Sequence, residues 1–554
     1  MMNILTKEQF SPLPLPEQLD HLARVDAKTR QELILSARHS VALTRALSAE
    51  MLLYTLKEVG LADSVELLAL AAPEQVRDMI DLDCWRKDHL DDRRMLSWLM
   101  LLDEAGSGKL AEWFLHADNE LLVFLVKGHL EVVRKADIED DLGFDQTRYF
   151  TFDDQYLLRF LGEEEPILQL LLERLRVLDY DCYKNVLENS LFDLESVLEE
   201  TALRWRNARL ADRGYPSYDD AQELFRFLPP ELVSLDRYRR AARSPLRFAH
   251  DEELIPPNHA LSLLEVSDSF LVRALSVLPA GDFELVSQEL AYLTNQVVIA
   301  EACDPGELAE VRRCVELTHD YLNIGLAYIA QSEEAVASRL LHECTLRPFF
   351  QVGVNLIARL QQGLKQIDVH LRQSGIPHWV AYLDSPFQET CLGVQRRPVR
   401  FFLGLVTPGE ILYQRFRTLS EVQQVETVLA QVPRWFAAMQ HWGLLPEGRA
   451  TEGITLEVLW NTAFARWVVE ERTAVRPLSR AELVVLQERL RRKHIEEESA
   501  TFVAVGSHHC QWTSEEEEAI LALAAHAREK LREALAVDAT TADLRFIEGL
   551  LIAT

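Results

Sequence analysis

The chain has 554 residues, 48% apolar and 26% charged, with 88 Asp and Glu against 58 Lys and Arg and a formal net charge of -30. That length calls for roughly two to four folding units, and the apolar content excludes a disordered polyelectrolyte. The acidic balance disfavours nucleic acid and anionic lipid, whose phosphates it repels, and favours a basic protein partner.

The opening MMNILTKEQFSPLPLPEQLDHL has no basic stretch followed by an apolar core, so a cytoplasmic protein is expected. The oily runs Leu121 to Val126, Phe349 to Leu360 and Phe401 to Val406 fall short of the roughly 20 residues that cross a bilayer. Seven scattered cysteines with no CxxC pair read as reduced thiols.

Residues 1–145 are leucine-rich and repeat a theme, ALSAEMLLYTLKEVGLADSVELLALAAPEQVRDMIDLD and then DRRMLSWLMLLDEAGSGKLAEWFLHADNELLVFLVKGHL. Segments open on Ser48-Ala49-Glu50, Ala72-Pro73-Glu74 and Ala117-Asp118-Asn119-Glu120, where caps and acids favour helix initiation. Apolar residues then recur three or four apart, as in Leu96, Leu99 and Leu102. The expectation is an irregular helical-repeat array or a helical bundle, within an all-α or predominantly α protein carrying at most minor β hairpins.

The acids Asp137, Glu139, Asp140, Asp141 and Asp145 lack the loop of a calcium site and read as a solvated turn. Residues 146–243 are predicted to be a helical extension, with either a small hairpin between Arg148 and Leu161 or a loop leading into a helix from Asp153, and a helix closed by Gly214. A linker is placed at 244–258, where prolines interrupt the pattern, and a helical bundle-like region at 259–375. Its helices are Asp282 to Ala302, Pro305 to Gln331, Glu333 to His342 and Pro348 to Leu371.

Residues 376–554 are predicted as a connector, Ile376 to Arg400, followed by helices. The helices run Ser420 to Ala438, Thr455 to Val469, Ser479 to Ser499, Ser514 to Ala536 and Asp543 to Leu551, with Thr501 to Val505 read as a short strand or buried chain. The tryptophans Trp85, Trp98, Trp113, Trp205, Trp435 and Trp460 sit in amphipathic text and read as core or interface anchors.

Three clusters carry candidate chemistry. Glu316 and His319 share a helix face, as in Glu-x-x-His dimetal ligands, with Glu289 on a preceding helix. A second Glu-x-x-His is missing, so an exposed Glu and a packed His are the simpler reading. His508, His509 and Cys510, with the distant His494, lack a zinc framework's spacing. Arg204, Arg206 and Arg209, then Arg237, Arg239, Arg240, Arg243 and Arg247, suit phosphate or a partner's carboxylates, although intramolecular ion pairs are the simpler destination. No GxGxxG between strand and helix, GxxxxGK[ST], HExxH or GxSxG occurs.

The phrases ETALRWRNARLADRGYPSYDDAQELF, LALAAPEQVRDMIDLDCWRKDHLDDRRMLSWL, QELAYLTN and YLDSPFQETCLGVQRRP resemble a large uncharacterised bacterial family, known as a domain of unknown function. That resemblance covers nearly the whole chain and brings no catalytic residues. The N-terminal phrasing more weakly resembles the acidic helical cytoplasmic domain of bacterial magnesium transporters. The expected function is a helical scaffold or regulatory protein-binding protein, with no cofactor predicted and oligomeric state open. The rival is an enzyme holding a divalent metal at Glu289, Glu316 and His319.

Overall fold

The computed structural model describes residues 6–138, 144–162, 166–240, 268–446, 453–492, 494–537, 539, 543–544 and 547–553. They form a predominantly α-helical protein of two compact units, Met1–Val352 and Gly353–Thr554. The linker expected at 244–258, with Arg243 and Arg247, and the acids at 139–141 lie outside the described residues.

The first unit begins with short helices in two rows. Ala27–Ser36, Ala49–Val59, Pro73–Asp83 and Ser107–His116 pack each on the next, and Ser40–Arg45, Val65–Leu70, Asp92–Glu104 and Pro166–Leu178 make the second row. The starts follow local chemistry: the Ser48 side chain accepts from the Met51 N–H, and Pro73 occupies the first turn of its helix. Each helix is too short to stand alone and buries its leucines against neighbours, which gives helical-repeat packing.

The strand within Arg148 to Leu161 exists, but its partner is not in that segment. Tyr156–Phe160 pairs antiparallel with Leu130–Arg134, with Leu130 opposite Phe160, while Phe150 makes only an isolated bridge to Leu158. The β-branched pair Val132 and Val133 suits a strand, and Glu131 binds Arg159 across the ladder. Glu195–Asp212 then follows Tyr180–Phe192, and Gly214 takes a positive φ after its end, as expected. The later helices of this unit, Ala280–Ala300, Leu308–Ile329 and Glu334–Glu343, match the expected spans closely, and Phe270–Ser276 is a further short helix within the region expected to be helical.

In the second unit, Ser514–Ala536 packs on Leu419–His441, Leu456–Glu470 and Ile495–Cys510. Four expectations change. The segment 376–400 holds a helix, Phe387–Gln395, because Pro386 and Pro398 bracket it instead of interrupting it. The span Ser479 to Ser499 divides into Arg480–Arg492 and Ile495–Cys510. Thr501 to Val505 is helical inside the latter, with Phe502 and Val503 turned into the core. Among the described residues of 543–551 there is no α-helix, and Ile552 instead bridges Leu478 in parallel.

An aromatic cluster centres on Trp442, with Phe502 at 4.6 Å, Trp512 at 5.4 Å and Trp460 at 5.8 Å between ring centroids. Gly506 permits it: a Cβ there would lie 2.5 Å from a Trp442 ring carbon and 2.6 Å from one of Trp512. Gly363, inside Arg347–Gln373, has no such neighbour within 4 Å. Gly506→Ala is therefore expected to destabilise by ~1–3 kcal/mol through overpacking. Gly363→Ala should stabilise by ~0.5–1 kcal/mol through helix propensity. Urea denaturation followed by circular dichroism measures both, and equal shifts would contradict the packing assigned to Gly506.

Candidate functional site

The most charged interior belongs to the helix Pro73–Asp83, whose Asp78, Asp81 and Asp83 are 2%, 2% and 3% exposed. A carboxylate removed from water is costly unless a fixed cation and hydrogen bonds meet it. The cations come from Glu195–Asp212 and its C-terminal cap. Arg209 grips Asp81 through Nε at 2.6 Å and Nη2 at 3.0 Å, and reaches Asp118 with Nη1 at 3.0 Å. Arg213 binds Asp78, and Arg206 donates through Nε to the Asp81 carbonyl at 2.7 Å while lying over the Trp85 ring. Acids ascending the first helix meet arginines descending the second, so the two run antiparallel in register.

Burial pushes the Asp78 carboxyl up to about 6 against the pull of Arg213, and raises Asp81 against the bonds from Arg209. Burial also lowers Arg206 to about 10, opposed by Asp81. Asp83 has a second set of partners. Lys57 Nζ lies at 2.5 Å, Arg94 Nη1 at 2.8 Å, and Trp98 Nε1 donates at 2.8 Å. The loop before Leu308–Ile329 closes over this point: Tyr54 donates to the Pro305 carbonyl at 2.9 Å and Lys57 to that of Gly306 at 2.5 Å. A Cβ on Gly306 would meet Asp83 Oδ1 at 2.7 Å and its Cα at 2.9 Å, so only glycine allows this approach.

The helix carrying these arginines turns an adjoining face to solvent. Val197, Thr201, Trp205 and Ala208 follow one another at helical spacing, with Val197 53% and Trp205 48% exposed. Phe192 and Leu194, each 68% exposed, extend the patch across the preceding connection. Exposed Asp193, Glu195 and Glu200 flank it, Arg204 lies over the Trp205 ring at 5.9 Å, and Arg134 over that of Phe192 at 4.9 Å. Of the tryptophans expected as core or interface anchors, Trp85, Trp98, Trp113, Trp435 and Trp460 are buried, and Trp205 stands at the surface.

The other candidates are engaged separately. Glu289 pairs with Arg240 at 2.6 Å and accepts from the Leu346 N–H at 2.7 Å. His319 Nε2 lies 2.8 Å from Ser269 Oγ, its Nδ1 3.4 Å from Asp320, and Glu316 faces solvent. Arg239 pairs with Asp236 at 3.2 Å, and Arg237 sits on the turn Leu235–Tyr238. His508 and His509 are exposed at the end of Ile495–Cys510, with His494 at its N-cap. Among the described residues no three His, Cys, Asp or Glu side chains are arranged to hold a metal ion.

Two clusters went unread in the sequence. In the second unit, Lys530 Nζ joins Glu457 at 3.0 Å and Asp384, and burial lifts Glu457 to about 7. Arg466, 1% exposed, holds Glu482 at 2.5 Å and Glu470 at 2.8 Å. The signal for the aspartate helix was present: acids three apart beside Val76, Met79, Ile80 and Leu82, and arginines three and four apart in a distant helix and its cap.

Asp78 supplies a pH test. Its folded value, about 6 against 3.8, means that the folded chain holds the proton more tightly. Its contribution is complete below pH 3.8 and is lost as pH rises through about 6. Wild type should therefore lose ~3 kcal/mol relative to Asp78→Asn over that window, at about 1.4 kcal/mol per unit. Urea titrations of both proteins from acid to neutral pH measure the difference, and parallel curves would contradict it.

No curated protein and no solved structure matches the chain. A family model described as a family of unknown function, DUF6178, matches residues 7–553. With almost every residue inside that match, the chain belongs to the DUF6178 family.

Proposed function

We propose that this protein is a helical scaffold that docks a basic, amphipathic segment of another protein on the exposed face of Glu195–Asp212. The observation that carries the reading is the run of Phe192, Leu194, Val197 and Trp205, apolar, solvent-facing and bordered by Asp193, Glu195 and Glu200. From Val197 to Ala208 the stripe spans about 16 Å at the α-helical rise, enough for a few turns of a partner helix. Aromatic anchors ringed by charge suit such docking, and the acids favour lysine or arginine on the partner.

The same helix explains how such a surface would stay rigid. Arg209 and Arg213 fasten it to buried carboxylates and Arg206 to the Asp81 backbone carbonyl, so binding would require little ordering of the receptor. These three arginines are committed internally, which argues against a phosphate-binding groove here. The metal-enzyme reading has no comparable support, because Glu289 and His319 are occupied with other partners.

The test is titration of the full chain with a synthetic amphipathic Lys/Leu helix, read by calorimetry. Val197→Ala with Trp205→Ala should weaken binding at least ~10-fold, as loss of an anchor does. Glu195→Gln with Glu200→Gln should reduce its salt sensitivity. The reading fails if the peptide does not bind, or binds the Val197→Ala/Trp205→Ala protein as well as wild type.

A further inference from the structure

The loop that closes over Asp83 begins at Cys303, just after Ala280–Ala300. Its Sγ lies 3.2 Å from that of Cys314 on Leu308–Ile329, with the Cys314 S–H donating to it. Arg313 Nη2 donates to the same Cys303 sulfur at 2.9 Å. Two thiols this close need to approach by only about 1 Å more to reach a disulfide bond length. The other five cysteines show no comparable pairing among the described residues.

The arrangement is also asymmetric. Cys303 is 7% exposed beside the exposed Glu301 and Ala302, whereas Cys314 is 1% exposed on the inward face of its helix. A donated S–H and a guanidinium both stabilise negative charge on Cys303, the chemistry that makes a thiol nucleophilic. Cys303 is drawn down to about 7, first by the Cys314 hydrogen bond and then by Arg313, while Cys314 is raised by the same contact.

We propose that Cys303 and Cys314 form a peroxide-oxidisable dithiol, in which Cys303 reacts first and Cys314 closes the disulfide. The Cys303 thiolate attacks one oxygen of hydrogen peroxide. The O–O bond breaks, and the departing hydroxide takes the proton that Cys303 released, leaving a sulfenic acid and one water. Cys314 Sγ then attacks Cys303 Sγ, the S–O bond breaks, and hydroxide leaves with the Cys314 proton as a second water. Two thiols and one peroxide become one disulfide and two waters, the sulfurs giving up the two electrons that reduce the peroxide. The consequence is local: Cys303 is pulled toward Leu308–Ile329 at the head of the segment whose Pro305 and Gly306 carbonyls hold Tyr54 and Lys57.

The experiment exposes the folded full chain to hydrogen peroxide, alkylates the remaining thiols after denaturation, and maps the non-reduced peptides by mass spectrometry. The expected product is one linked pair, Cys303 to Cys314, with the other five of the seven cysteines alkylated and the link reversed by dithiothreitol. In Cys314→Ser, dimedone should capture a sulfenic acid on Cys303. Arg313→Gln, at an exposed position that leaves the core intact, should slow the link about 10-fold. The proposal is overturned if Cys303 is oxidised no faster than the partly exposed Cys182 and Cys510, if a different pair links, or if Arg313→Gln leaves the rate unchanged.

Discussion

A carboxylate enclosed by protein must be met by a cation held in place, and three aspartates on one short helix impose that condition on much of the first unit. Asp78 and Asp81 fix the register of the helix that supplies their arginines, and Asp83 gathers Lys57, Arg94 and the 304–307 loop. Replacing such a cluster by apolar residues need not cost stability, while breaking one member does, so its physical role is specification. An apolar seam would tolerate sliding by a turn, whereas guanidinium forks matched to carboxylates do not.

This constraint connects the fold to the proposed docking surface. The arginines take one side of Glu195–Asp212 inward, and the neighbouring side, with Val197 and Trp205, is left facing water. The acidic composition belongs to the same arrangement. Many of the arginines that would otherwise offset it are turned toward interior or neighbouring acids, as with Arg94, Arg206, Arg209 and Arg466.

The helical class and most helix limits were legible because apolar spacing and caps act locally, as at Ser48, Pro73 and the capping box of Thr513 with Glu516. What stayed hidden depends on partners distant in sequence. Leu130–Arg134 becomes a strand only because Tyr156–Phe160 lies beside it, and His494 marks a break that periodicity alone runs through. The arginine cluster was visible as charge, and intramolecular ion pairing was its simpler destination, which Arg209 follows, while Arg206 donates to the Asp81 backbone carbonyl. Which acids receive it was not visible, since Asp78 and Asp81 look like any surface aspartates until their helix is covered on every side. For Trp205 the expectation left core and interface open, because amphipathic text does not say which apolar stripe finds a cover within the chain.

The separation in sequence of these ion pairs also bears on how the chain is made. When the first helices leave the ribosome, Asp78 has only the neighbouring Arg77 at 3.8 Å until Arg213 emerges, Asp81 waits for Arg209, and Asp83 waits for its cover until residues 304–307. Until then those acids cost less free energy in water than buried. The set of partners that meets the buried aspartates is therefore complete only once the chain has been translated to residue 307 of a unit that ends at Val352.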